Sequence, residues 1–149
     1  MKRDGGKMPN KQYARGFRAE DRCLQDLLRQ GWWAERAHAS KNTFDIIAVR
    51  EITRFIQVKR SKMNIAKDKT FQMKYKVDIK KMSTIPVGEH VSRELWIWID
   101  AQWVTNRTQK TLTKGGKKER KWSPAHWRKF RILGTQEIRL YEIKREEIR

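Results

Sequence analysis

Apolar residues recur at helical spacing between Gly16 and Gly31, at Phe17, Leu24, Leu27 and Leu28, and predict a helix that stops at Gly31. Phe17, Glu20, Leu24 and Leu27 then share one stripe, because steps of three and four keep one face. Trp32–Ala39 reads as a first strand, and Ser40–Thr43 as a polar loop. Phe44–Val49 is a strongly apolar second strand and Phe55–Lys59 a third. The few residues between these two predict an antiparallel hairpin. Lys67–Ser83 reads as a second helix, apolar along Phe71, Tyr75, Ile79 and Met82 and lysine-rich elsewhere. Leu95–Ile99 is apolar on both faces, as a central strand covered on both sides would be. Strand, helix and strand from Phe55 to Ile99 imply a parallel crossover. Thr105–Lys121 is a basic stretch around Gly115–Gly116, read as a long hairpin tip or loop, and Glu137–Ile143 as a last strand. The expectation is one α/β domain over 16–149, with a mixed β-sheet flanked by helices. A flexible basic arm over 1–15 precedes it, and a basic loop lies near 105–121.

The period of two along the hairpin gathers polar side chains. Asp45, Ile47 and Val49 share one face, as do Phe55, Gln57 and Lys59. A three-residue turn at Glu51–Thr53 would pair Arg50 with Arg54, Ile47 with Gln57, and Asp45 with Lys59, so Asp45, Gln57 and Lys59 would cluster. A two-residue turn would break the cluster. The plainer reading is a polar hairpin edge with an Asp–Lys ion pair. A carboxylate on the core-facing stripe of the first helix is costly unless paired; the plainer reading of Glu20 is that it sits at the stripe's edge and reaches water. Two carboxylates and an amide oxygen suit Mg²⁺, which keeps several waters and takes only one or two protein carboxylates. A metal-bound water can attack a phosphodiester, and a lysine beside it can stabilise the charge that develops.

Charge supplies the partner. The 149 residues carry 36 Lys and Arg against 17 Asp and Glu, a formal charge of +19. Such an excess repels itself in the compact state and fits a polyanionic partner, most commonly nucleic acid. Seven Trp and five Phe supply a real core, unlike a disordered basic tail. The single cysteine, Cys23, excludes an internal disulfide and a cysteine zinc site, and reads as a buried thiol. No apolar run of about 18 residues predicts a membrane span, and the basic N-terminus lacks the apolar stretch of a signal peptide. The expected location is intracellular, cytoplasmic or nucleoid-associated, with no membrane partner.

Asp45, eleven residues, and then Gln57-Val58-Lys59 resembles the PD-(D/E)XK nuclease motif in its form with Gln for the second acid. Gly16-Phe17-Arg18-Ala19-Glu20, followed by Arg36-Ala37-His38-Ala39-Ser40, is similar to archaeal-type Holliday junction resolvases. The resemblance covers about Gly16–Ile99. It implies a restriction-endonuclease-like fold, with Glu20, Asp45 and Gln57 holding Mg²⁺ (or Mn²⁺), Lys59 catalytic, and Ser40 contacting or assisting at the scissile strand. It further implies a structure-selective endonuclease of DNA recombination and repair that resolves four-way junctions. A two-fold homodimer would supply the two equivalent sites that symmetric cutting needs. Two departures stand out: Phe44 replaces the expected proline, and Gln57 removes one negative charge. The Gln form also occurs in Mrr-like restriction endonucleases, so a restriction-like or repair nuclease acting on linear duplex or single strands stays open, as does a DNA-binding protein that no longer cuts. Arg36, Lys41, Arg60, Lys62, Lys69, Lys74, Lys114, Lys117 and Lys118 are the expected phosphate contacts. Lysine clusters bind backbone rather than sequence. Trp122 and Trp127 flank the basic stretch and are expected to tether it to the core rather than stack on bases.

Overall fold

The computed structural model describes residues 11–38, 43–62, 68–105, 120–134 and 138–140. The chain order is α1 (Lys11–Arg29), β1 (Trp33–Arg36), β2 (Ile46–Val49), β3 (Thr53–Ser61), α2 (Asp68–Lys74), α3 (Lys76–Met82), β4 (Val91–Ile99), β5 (Gln102–Thr105), β6 (Arg120–Ser123), β7 (His126–Ile132) and β8 (Ile138–Leu140). Six strands form one mixed sheet in the order β1-β2-β3-β4-β7-β8, while β5 and β6 pair apart as a two-stranded ribbon. The β3–β4 pair is parallel, as the α2–α3 crossover requires, and the others are antiparallel. The expected mixed sheet flanked by helices in one α/β domain is therefore present.

Two cores lie on the two faces of the sheet. On one, Ala19, Cys23 and Leu27 of α1 pack on Ile46, Ala48, Ile56, Val58 and Trp96. On the other, Phe71, Tyr75, Ile79 and Met82 pack on Leu95, Ile97, Ile99, Phe130 and Ile132. Strand β4 contributes to both, as its two-sided apolar pattern predicts.

Several boundaries differ from expectation. Helix α1 starts at Lys11, so residues 11–15 are helical rather than part of an arm; Gly16 has open space around it and interrupts nothing. Its buried stripe is Ala19, Cys23 and Leu27 rather than one containing Phe17, which is 47% exposed. The small Ala19 and Cys23 side chains let the helix approach the sheet closely. The expected second helix is two short helices broken at Tyr75, with its predicted apolar face intact. Strand β7 is absent from the sequence reading because Arg128, Lys129 and Arg131 interrupt the apolar run of its buried Phe130 and Ile132. Trp127 tethers as expected, with its ring on Trp96 and Trp98 and its indole N–H donating to Asp26 at 2.7 Å. Trp122 does not: it is exposed.

Burial also strains one cation. The Lys129 ammonium lies 3.8 Å from the Trp96 ring centre, and burial, with Arg54 nearby, lowers its pKa from 10.5 to about 8. A cation with a depressed folded pKa costs stability in full below that pKa, and the cost vanishes above the unfolded value. Lys129→Met should thus stabilise the fold by about 1–2 kcal/mol at pH 7, and the gain should shrink as pH rises from 8 towards 10.5. Urea unfolding of both proteins across that range measures it. Cys23, whose thiol is pushed up by burial and feels the Lys129 charge, is replaced by alanine in both proteins so that its own titration does not enter the difference.

Candidate active site

The β2–β3 hairpin turns through Arg50–Ile52, with Val49 opposite Thr53, Ile47 opposite Phe55 and Ile46 opposite Ile56. The expected pairing of Asp45 with Lys59 is therefore two residues out of register. An offset of two keeps every side chain on its face, so the predicted cluster survives. One further step along the ladder sets Asp45 beside Gln57, and the Asp45 amide donates to the Ile56 carbonyl at 2.9 Å.

Strand β3 runs on to Ser61, past the start of β2, and this open edge is where the site forms. The β2–β3 ladder ends at Ile46 and Ile56, and beyond it the Asp45 carboxylate meets the Val58 amide. Its Oδ2 accepts from Val58 N at 2.7 Å and from Gln57 Nε2 at 2.5 Å. Glu20 approaches the same edge from the α1 side. Gln57 and Lys59 come from the face that α2 and α3 cover, so the two sides of the sheet meet at this rim. The resulting open cleft, about 360 Å³, is bounded by Glu20, Asp45, Gln57, Lys59, Arg60 and Lys62.

The electrostatics of the cleft are those of two carboxylates competing for cations. Burial pushes the Asp45 carboxyl above its usual range, against the pull of the Val58 amide and of Lys59. Burial also raises Glu20, and the neighbouring Asp45 charge raises it further. Arg36 stands 3.5 Å from Glu20 and also reaches Asp21, a loose pairing for a guanidinium lying flat against Phe17. Lys59 is committed elsewhere: its Nζ lies 2.9 Å from Asp78 on α3. An ion pair with Asp45 was the expected plain alternative; Asp78 is a residue the sequence reading missed. It follows Tyr75 by three residues on the buried face of α3, which was its one signal. Arg93 holds the far, C-terminal end of α3, donating to the Ser83 and Ile85 carbonyls at 2.7 and 2.9 Å.

These residues fit a divalent cation by their chemistry. Among the described residues no three His, Cys, Asp or Glu gather into a cage, so Glu20 and Asp45 would need a third oxygen from the protein or from water. Gln57 directs its amide nitrogen to Asp45 and leaves its oxygen for that role. Two desolvated carboxylates, one of which raises the pKa of the other, are stabilised by a shared cation.

The expected phosphate contacts divide. Lys62, Lys69 and Lys74 are exposed, and Lys74 reaches Ser61 Oγ at 3.3 Å. Arg60 is half-buried and paired with Asp100 at 2.7 Å. Arg36 is tucked between Phe17 and the α1 acids rather than presented to solvent. Ser40, Lys41, Lys114, Lys117 and Lys118 lie outside the described residues. No helix among the described residues is long and apolar enough to cross a membrane. Neither a search against protein families nor one against curated proteins finds a match to this chain.

Proposed function

We propose that this chain is a Mg²⁺-dependent DNA endonuclease with a restriction-endonuclease-like fold, acting as a homodimer on four-way junctions. The observation that carries the reading is the meeting of Glu20, Asp45, Gln57 and Lys59 at one open edge of the sheet, in a protein with a charge of +19. Glu20, Asp45 and the Gln57 oxygen would hold Mg²⁺, which when bound offsets phosphate charge and lowers the pKa of a water. The protein's own residues do the rest. Lys59 sets a fixed cation beside the scissile phosphate, and Asp78 holds that side chain in place. The Val58 amide and the Gln57 side chain fix the Asp45 carboxylate in one orientation. Lys62 faces the cleft from solvent, where it can take a neighbouring phosphate. The choice of branched over linear DNA rests on the sequence resemblance and on the ability of two basic subunits to engage the several backbones of a junction.

The test is incubation with Mg²⁺ of a four-way junction, a linear duplex and a single strand of equal length. Paired symmetric cuts in the junction, absent in EDTA, are expected. Binding measured over a salt series in EDTA should lose several powers of ten, since each neutralised duplex phosphate adds roughly −0.9 to the log–log slope. Equal affinity for junction and duplex, or a monomer by mass in solution, overturns the junction reading in favour of a linear-duplex or single-strand nuclease. Binding without cutting in either Mg²⁺ or Mn²⁺ reduces the protein to a DNA-binding one.

A further inference from the structure

The ribbon of β5 and β6 carries a feature that the cleft does not use. Trp103 and Trp122 lie directly opposite each other in its register, and their rings meet edge to face with centres 5.2 Å apart. A cross-strand aromatic pair stabilises a short ribbon, and a two-stranded one needs such help. That accounts for the contact between the rings but not for their outer surfaces: Trp103 remains 62% exposed and Trp122 49%. By contrast Trp96, Trp98 and Trp127 are packed together in the body of the protein.

The chemistry around the pair is cationic. Arg120, two residues from Trp122, projects from the same side of the ribbon, and Lys121 from the other; both are exposed. The ribbon also springs from the cleft. Asp100, which bounds the cleft and pairs with Arg60, comes just before β5, and its amide is held by the Ser61 carbonyl at 3.0 Å. Trp103 is thus three residues from the cleft wall. Flat aromatic surface beside cations suits a nucleobase with its π-face free and a phosphate close by. A base inside a duplex offers no such face, whereas one at a branch, gap or single-stranded arm does.

We infer that Trp103 and Trp122 form a stacking platform for unpaired nucleobases, with Arg120 on the adjoining phosphate. The inference rests on the proposal that the cleft binds DNA and adds what the ribbon recognises. Stacking on an aromatic side chain is worth roughly 1–3 kcal/mol per base, or about five- to 150-fold in affinity.

The test compares, in EDTA, a plain duplex with the same duplex carrying a short thymine arm that bears a fluorescent purine analogue. Wild-type protein should prefer the armed duplex and quench the analogue. Trp122→Leu should lose about tenfold of that preference and most of the quenching, with plain-duplex affinity unchanged. Trp122→Phe should retain much of both. Trp103→Phe with Arg120→Ala provides a second variant that keeps the cross-strand aromatic pair, and it should weaken arm binding alone. Undiminished preference in Trp122→Leu, or duplex binding by wild type with neither preference nor quenching, overturns the platform while leaving the nuclease reading standing. Failure of wild type to bind any of the DNAs overturns the nuclease reading, and the platform with it.

Discussion

Asp45→Asn should abolish Mg²⁺-dependent cutting yet leave the metal-free protein at least as stable as the wild type. Cutting should fall on the order of a hundredfold or more, since the substitution removes an ionised ligand from a site that holds only two. The stability expectation follows from the sign of the Asp45 shift. Burial raises its folded pKa, so the fold favours the neutral acid. Its preference for the proton stabilises the protein below the ordinary carboxylate range and is lost as pH rises through the folded pKa. At pH 7 the ionised group is therefore a cost, which a neutral amide of the same shape avoids. Asparagine keeps one oxygen, which in the place of Asp45 Oδ2 can accept from both the Val58 amide and the Gln57 side chain. Mg²⁺ should raise the melting temperature of the wild type and leave that of Asp45→Asn unmoved. Lys59→Ala separates the catalytic cation from the ligands. It should cut at least about a hundredfold more slowly while still binding DNA and showing the Mg²⁺ stabilisation. Wild-type cutting by either variant removes that residue from the site. A marked fall in the melting temperature of Asp45→Asn would make its carboxylate a structural brace for the β3 edge.

Much of this geometry was readable in the sequence because strand faces depend only on parity. Asp45, Gln57 and Lys59 cluster although the turn was misplaced and the register was two residues out, since a shift of two turns no side chain over. Glu20 was readable as a carboxylate on the rim of a helix, but not the reason it reaches the hairpin, which is that β3 outruns β2. Asp78 was hidden because α3 lies far along the chain and surrounds its one acid with lysines; only the parallel β3–β4 crossover brings it to Lys59. Strand β7 was hidden by its own cations, one of which, Lys129, is drawn onto Trp96 rather than exposed. The tryptophan pair shows the same limit. Trp103 and Trp122 are separated by the basic stretch, and only the ribbon's register reveals that they face each other.

Glu94→Ala should cost about 3–5 kcal/mol, a large share of the roughly 5–15 kcal/mol that holds a domain of this kind together. Glu94 is 1% exposed and is the hub of a network on the α1 side of the sheet. Arg54 grips it with both arms of its guanidinium, Nε to Oε1 at 2.8 Å and Nη2 to Oε2 at 2.7 Å. Ser92 Oγ donates to Oε1 at 2.8 Å and the Trp96 indole N–H to Oε2 at 2.7 Å. The guanidinium also lies over Trp32 and Trp96. Removing the carboxylate strands a buried cation and takes the acceptor from two further donors. At about 2–4 °C per kcal/mol, the midpoint should fall by roughly 10 °C. Arg54→Met together with Glu94→Met should lose less than the sum of the single changes, since neither charge is then left alone. The network reaches the candidate site through register. Arg54 and Glu94 sit on β3 and β4, whose parallel pairing carries Gln57 beside Leu95 and Lys59 beside Ile97. Gln57 and Lys59 are three and five residues along the strand that Arg54 anchors. The double variant should thus recover much of the melting temperature but not the full cutting rate. If it matches the wild type in both, the buried pair serves neither register nor site. If it is no more stable than Glu94→Ala, the loss belongs to the Ser92 and Trp96 donors rather than to the stranded charge.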